Sequence, residues 1–119
     1  MIDAKELRPG NVIYLNGKKS ALDVNDIAFL GQCQRLGVNV EATPIKVTEE
    51  ILVGTGFDFE FENMSDRVYA KEGIKIRFNK IEGLHLYVCG ETTGKSFFYI
   101  HQLQNLWFCL TGSELTILP

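Results

Sequence analysis

Three times between residues 57 and 89 the chain alternates apolar and polar residues, a rhythm that suits a β-sheet with one face in a core and suits no helix. "FDFEFE" sets Phe57, Phe59 and Phe61 on one side and Asp58, Glu60 and Glu62 on the other. "IKIRFN" opposes Ile74, Ile76 and Phe78 to Lys75, Arg77 and Asn79, and "LHLYVC" opposes Leu84, Leu86 and Val88 to His85, Tyr87 and Cys89. A shorter "RVYAK" lies among them, and the links "NMSD", "EG", "KIEG" and "GETTG" are rich in turn formers. The order predicts an antiparallel meander with one buried face.

The flanking segments follow different rules. In "ELRPGNVIYLNGKKSALDV", Pro9-Gly10 predicts a turn, and Asn16-Gly17 predicts a two-residue type I′ hairpin, which needs positive φ at both positions. "DIAFL" and "LGVNVEA" read as two further strands, which would give residues 1–43 a small curled sheet of the SH3-like barrel kind. Thr48 is suited to cap a short helix with Glu49 and Glu50 in its first turn and Gly54 and Gly56 at its end. Over 99–111, Ile100, Leu103, Leu106, Trp107 and Leu110 fall on one helical face, and Gly112 is a natural stop. "ELTIL" reads as a last strand. The expected fold is α+β. A β-barrel-like lobe spans 1–43, and a helix, the meander and a C-terminal helix on the Phe57, Phe59, Phe61 face span 44–119. One continuous domain is the alternative.

"GETTGKS" invites comparison with a phosphate-binding loop. That loop needs four residues between its glycines so that backbone amides can wrap the anion, and it joins a parallel strand to a helix. Here three residues separate Gly90 from Gly94, and the preceding strands read as hairpins. A hairpin turn is the expected structure.

The composition narrows the function classes. With 119 residues, 45% hydrophobic and 23% charged, the chain can bury a core. A formal net charge of −3 gives no overall field for nucleic acid or anionic lipid. "MIDAKELRPG" carries charges where a secretory signal is apolar, and no run approaches a bilayer span. Cys33, Cys89 and Cys109 are too few and too scattered for a disulfide framework, so reduced thiols in the cytoplasm are expected.

Several groups of residues are candidates for function. No Asp, Glu, Lys or Arg occurs between Lys95 and Glu114, and the second face of the C-terminal helix holds His101, Gln104, Asn105 and Phe108. That face reads either as a second buried side with its amides bonded to backbone, or as a docking face with Phe108 as anchor. On the polar side of the sheet, Lys75, Arg77, His85 and Tyr87 would suit a single-stranded nucleic acid, which takes cations beside an aromatic. Asp58, Glu60 and Glu62 have the same parity and would neutralise them. His85 and Cys89 lie too far apart along a strand to share a metal without a bend, and His101 and Cys109 would have to converge from elsewhere to complete the four ligands of a structural zinc, so neither a metal nor another cofactor is expected. Cys33 and Cys109 read as small buried hydrophobes. No G-x-S-x-G or H-E-x-x-H motif is present to mark an enzyme.

Three stretches, "ELRPGNVI", "PIKVTEEILVGTGF" and "HQLQNLWFCLTGSELTI", occur in this order across nearly the whole chain. Together they resemble a family of small proteins of gut Bacteroidetes and their phages or prophages. The last stretch is the most specific, and the middle one departs at Lys46 and Val47 and in the glycine-rich "LVGTG". The resemblance implies a cytoplasmic, mobile-element setting and transfers no site residue. The leading expectation is a non-enzymatic module that binds a protein partner or itself. A single-stranded nucleic-acid binder is the first alternative, and an enzyme of another type is the second.

Overall fold

The computed structural model describes residues 2–64, 66–79, 81, 83–88 and 91–117, with backbone alone for 63, 87, 88 and 91–95. Within them the chain is mixed α+β and forms two compact units, residues 1–46 with 99–119 and residues 47–98. The chain leaves the first unit between residues 46 and 47 and re-enters it at Tyr99.

The first unit begins with a 3-10 turn at Ala4–Glu6. A turn follows in which the Asn11 amide donates to the Arg8 carbonyl (3.0 Å), with Gly10 at φ 94. Proline at the second position and a positive-φ glycine at the third are what a type II turn requires. Strands β1 (Val12–Leu15) and β2 (Lys18–Ala21) form the expected hairpin. Leu15 pairs with Lys18, and Asn16 and Gly17 take φ 52 and 78, so both turn positions are left-handed as type I′ demands. A two-residue strand β3 (Ala42–Thr43) pairs with the other edge of β1, giving the antiparallel order β2-β1-β3.

No closed barrel forms among the described residues, because "DIAFL" is helical. Helix α1 runs over Val24–Leu36. Asp23 accepts from the Asp26 amide (2.7 Å), and Asp26 in turn accepts from the Asp23 amide (3.1 Å). This capping box is an N-terminal signal, and Gly37 at φ 72 ends the helix. Ile27 and Leu30 of α1 pack with Ile2, Leu7, Ile13, Leu22 and Ala42 in the core of this unit. Helical spacing explains why a run of four apolar residues that resembles a strand buries Leu30, partly buries Ile27 and leaves Ala28 and Phe29 exposed.

Helix α3 (Ile100–Thr111) belongs to the same unit and packs against β1. Phe57, Phe59 and Phe61, on which this helix was expected to pack, belong to the second unit. Gln102 accepts from the Tyr99 amide at its start (3.2 Å), and Gly112 at φ 75 closes it. Ile100, Leu103 and Trp107 are buried as the helical period predicts, whereas Leu110 is exposed. Residues 114–117 of "ELTIL" form no strand, although Leu115 and Ile117 are buried, and Leu118 lies outside the described residues.

In the second unit Thr48 caps α2 (Glu49–Gly54) by accepting from the Ile51 amide (3.3 Å). A five-stranded antiparallel meander follows, β4 (Asp58–Asn63), β5 (Asp66–Lys71), β6 (Ile74–Asn79), β7 (Gly83–Val88) and β8 (Glu91–Phe97), in sequential order. Tyr69, Ile76, Phe78 and Leu84 share its buried face. Gly83 is obligatory: it sits at φ 86, and a Cβ there would lie 2.7 Å from the Phe97 carbonyl oxygen.

The phenylalanine face is the main correction in this unit. Phe59 pairs with Tyr69, but Phe61 pairs with Val68, because a bulge shifts the register between them. Adjacent residues of β5 point to opposite faces, so the bulge turns Phe61 away from the face of Phe59. Phe57 precedes β4 and is buried, whereas Phe59 and Phe61 are 45% and 38% exposed. Phe59 meets Tyr69 edge-on at 5.7 Å between ring centroids and carries the Arg67 guanidinium at 4.9 Å.

Candidate functional site

The amide face of α3 is occupied by the fold itself. Gln104 is 1% exposed and uses both ends of its side chain. Its Oε1 accepts from the Val12 amide (2.9 Å) and from Asn11 Nδ2 (3.3 Å). Its Nε2 donates to the carbonyls of Gly10 (3.0 Å) and Leu115 (3.1 Å). Asn105 accepts from Asn11 Nδ2 (3.0 Å) and donates to the Glu6 carbonyl (2.8 Å). Asn11 Oδ1 accepts from the Arg8 amide (2.7 Å). Buried polar groups are stable only when paired, and these three amides pair with one another and with the Pro-Gly turn. Asn11 is fully buried and was missed in the sequence. The signal available was an asparagine between a Pro-Gly turn and an apolar strand.

The other two members of that face differ from the amides. Phe108 lies at the surface beneath Arg8, whose guanidinium carbon is 3.7 Å from the ring centroid. Arg8 also pairs with Glu114 at 2.8 Å. His101 is buried, stacks parallel to Tyr99, and has no hydrogen-bond partner for Nδ1 among the described residues. Burial pushes its pKa below the ordinary 6.5, and Glu6 opposes this more weakly.

The sheet brings Lys75, Arg77 and His85 to one face, since Arg77 pairs with His85, and Lys75 pairs with the backbone of Tyr87. The side chain of Tyr87 lies outside the described residues. Each cation meets an acid: Arg77 contacts Asp66 at 3.1 Å and Lys75 contacts Glu60 at 3.3 Å. Arg77 also donates to His85 Nδ1 at 3.3 Å. A guanidinium has no acceptor, so the contact places the proton of neutral His85 on Nε2. The face is largely neutralised.

Cys33 is buried as expected, whereas Cys109 is exposed, and Cys89 lies outside the described residues. No group of three His, Cys, Asp or Glu residues converges among the described residues. Gly94, Lys95 and Ser96 fall inside β8 rather than in a strand-to-helix loop, and Gly90 lies outside the described residues. No described helix is long and apolar enough to cross a membrane.

The outer face of α1 remains. A surface helix normally turns charged residues to water. On α1 the exposed positions are Val24, Asn25, Ala28, Phe29, Gln32, Arg35 and Leu36, and Arg35 alone is charged. Val24, Phe29 and Leu36 are 66%, 57% and 70% exposed. At 3.6 residues per turn, Phe29, Gln32 and Leu36 form one stripe, and Val24, Ala28, Gly31 and Arg35 form the next. A shallow groove of about 530 Å³ borders the second stripe, between α1 and Asp3–Lys5. These residues were missed because the segment reads as a strand. The available signals were Asp23 and Asp26 ahead of the apolar period and Gly37 behind it.

Neither a family model, nor a curated protein, nor a solved structure matches the chain.

Proposed function

We propose that this chain is a non-enzymatic interaction module that docks a protein surface through the outer face of α1. One observation carries the reading: a capped, well-packed helix turns Phe29, Leu36 and Val24 to water with Arg35 as its single exposed charge. Clustered exposed apolar side chains of this size mark contact surfaces. The amides first considered on α3 are spent inside the fold, which moves the docking surface from α3 to α1. A cytoplasmic accessory role on a mobile element is the setting proposed for it.

The paired state of Lys75 and Arg77 argues against the nucleic-acid alternative, because a phosphate backbone would have to displace Glu60 and Asp66. The test is differential capture. The chain and a Phe29→Ser/Leu36→Ser variant are immobilised and exposed to the same lysate. A protein retained by the first and lost on the second supports the proposal. Equal capture by both overturns it.

A further inference from the structure

The groove between α1 and Asp3–Lys5 gathers polar groups that the fold leaves unused, and we infer that it is a binding site for a small carboxylate. Its volume of about 530 Å³ lies within the range of small-molecule sites. Ala28, Gly31, Gln32 and Arg35 recur at helical spacing and give it one wall, and Asp3, Ala4 and Lys5 give it the other. The walls are tied together. Gln34 accepts from the Ala4 amide (3.0 Å) and donates to the Ile2 carbonyl (2.7 Å). A Cβ built at Gly31 would touch Ala4 at 3.8 Å, so small residues line the groove where helix and turn meet.

The chemistry of the ligand follows from which polar groups are already engaged. Asp3 accepts from the Lys5 amide (3.0 Å), and both ends of the Gln34 side chain are bonded. The side chains of Lys5, Gln32 and Arg35 have no hydrogen-bond or ion-pair partner among the described residues. Arg35 differs here from the other arginines. Arg8 meets Glu114, Arg67 meets Glu49 and Arg77 meets Asp66, so each of those guanidinium groups already holds a carboxylate. The uncommitted groups of the groove are a guanidinium, an ammonium and an amide, a set rich in donors. With Asp3 included, the groove keeps one net positive charge in a chain whose net charge is −3. A single carboxylate balances that charge, and a guanidinium can bind it bidentately. Ala4, Ala28 and Gly31 leave an apolar bed for the rest of the ligand. The site uses neither Phe29 nor Leu36, so it is independent of the docking face.

Benzoate is the probe, because it sets one carboxylate on a flat apolar body. Two-dimensional amide NMR of the full chain is followed at low salt as benzoate is raised to about 20 mM. The expected result is saturable movement of the amides of residues 3–5 and 28–35, with a dissociation constant of about 1 mM as suits an open groove. Benzamide, the uncharged counterpart, should bind at least about tenfold more weakly. Lys5→Gln/Arg35→Gln should weaken benzoate binding by at least about tenfold with an unchanged melting temperature, since both side chains are exposed. Asp3→Asn keeps a capping side chain and removes the like charge, so it should tighten binding about threefold.

Absence of saturation by about 20 mM overturns the inference. So does benzamide binding as tightly as benzoate, or the double variant binding as tightly as the parent. Amide movement at Lys18, Lys19 and Lys46 as large as in the groove would mark general attraction of anions and overturns it as well. None of these outcomes bears on the capture test of Phe29 and Leu36.

Discussion

Helices α1 and α3 lie in one unit, have 13 and 12 residues, and treat polarity in opposite ways. Helix α3 lacks charge, and its polar side chains point inward, where Gln104 and Asn105 fasten the Pro-Gly turn, the start of β1 and the segment after Gly112. Helix α1 carries its charges at its ends and leaves phenylalanine, valine and leucine in water. The comparison teaches that polar composition does not identify a surface. Amides that looked like a docking rim serve the core, and a segment that looked like core strand presents the apolar surface.

The sharpest way to break this contrast is Gln104→Ala. It leaves the Val12 amide and the Gly10 and Leu115 carbonyls without their side-chain partner, and it opens a cavity. Each unsatisfied buried group costs about 1–3 kcal/mol. A loss of about 4 kcal/mol is expected in urea unfolding, enough to unfold a marginal domain. If the loss is below about 1 kcal/mol, the amide cluster is not the fastening described.

Next comes pH. His101 is buried and holds its folded pKa below 6.5. Between the folded and unfolded values the unfolded chain binds more protons, so stability falls as pH drops through 6.5 and levels off below the folded pKa. Above that window His101 contributes no pH dependence. His101→Phe should flatten the acid limb of a melting-temperature profile, and an unchanged limb would assign it to carboxylates.

Arg8→Ala probes a place where the α3 face meets water. The guanidinium covers Phe108 and pairs with Glu114, and both contacts are partly exposed. A loss of about 1 kcal/mol is expected, shrinking in high salt. The smallest effect on stability should come from Phe29→Ser/Leu36→Ser, within about 0.5 kcal/mol, because neither side chain is buried. A large loss there would mean that α1 uses those side chains for its own packing, and the contrast between the two helices would dissolve.

Much of the architecture was legible. The alternation in β6 and β7, the Asn16-Gly17 hairpin, the Thr48 cap, the period of α3 and the stop at Gly112 are short-range signals, each fixed by residues within a few positions of one another. Three features were not. "DIAFL" fits strand and helix equally over five residues, and only a window reaching from Asp23 to Gly37 separates them. The bulge between Phe59 and Phe61 leaves no mark in a strict alternation, because the extra residue becomes visible only against the register of β5. The Gln104 network joins residues 93 and 94 positions apart, which no local pattern encodes.

The sequence alone therefore determined which stretches are ribbon, turn and rod, since backbone sterics, capping and hydrophobic period act over a few residues. Only the tertiary structure decided which faces those elements bury. That choice turns on partners far away in the chain: β1 claimed α3 through its amides, β5 turned Phe61 aside, and the core took Ile27 and Leu30 from α1 while leaving Phe29 and Leu36 outside. Burial is a property of the pairing between elements, and the pairing forms only when distant segments meet.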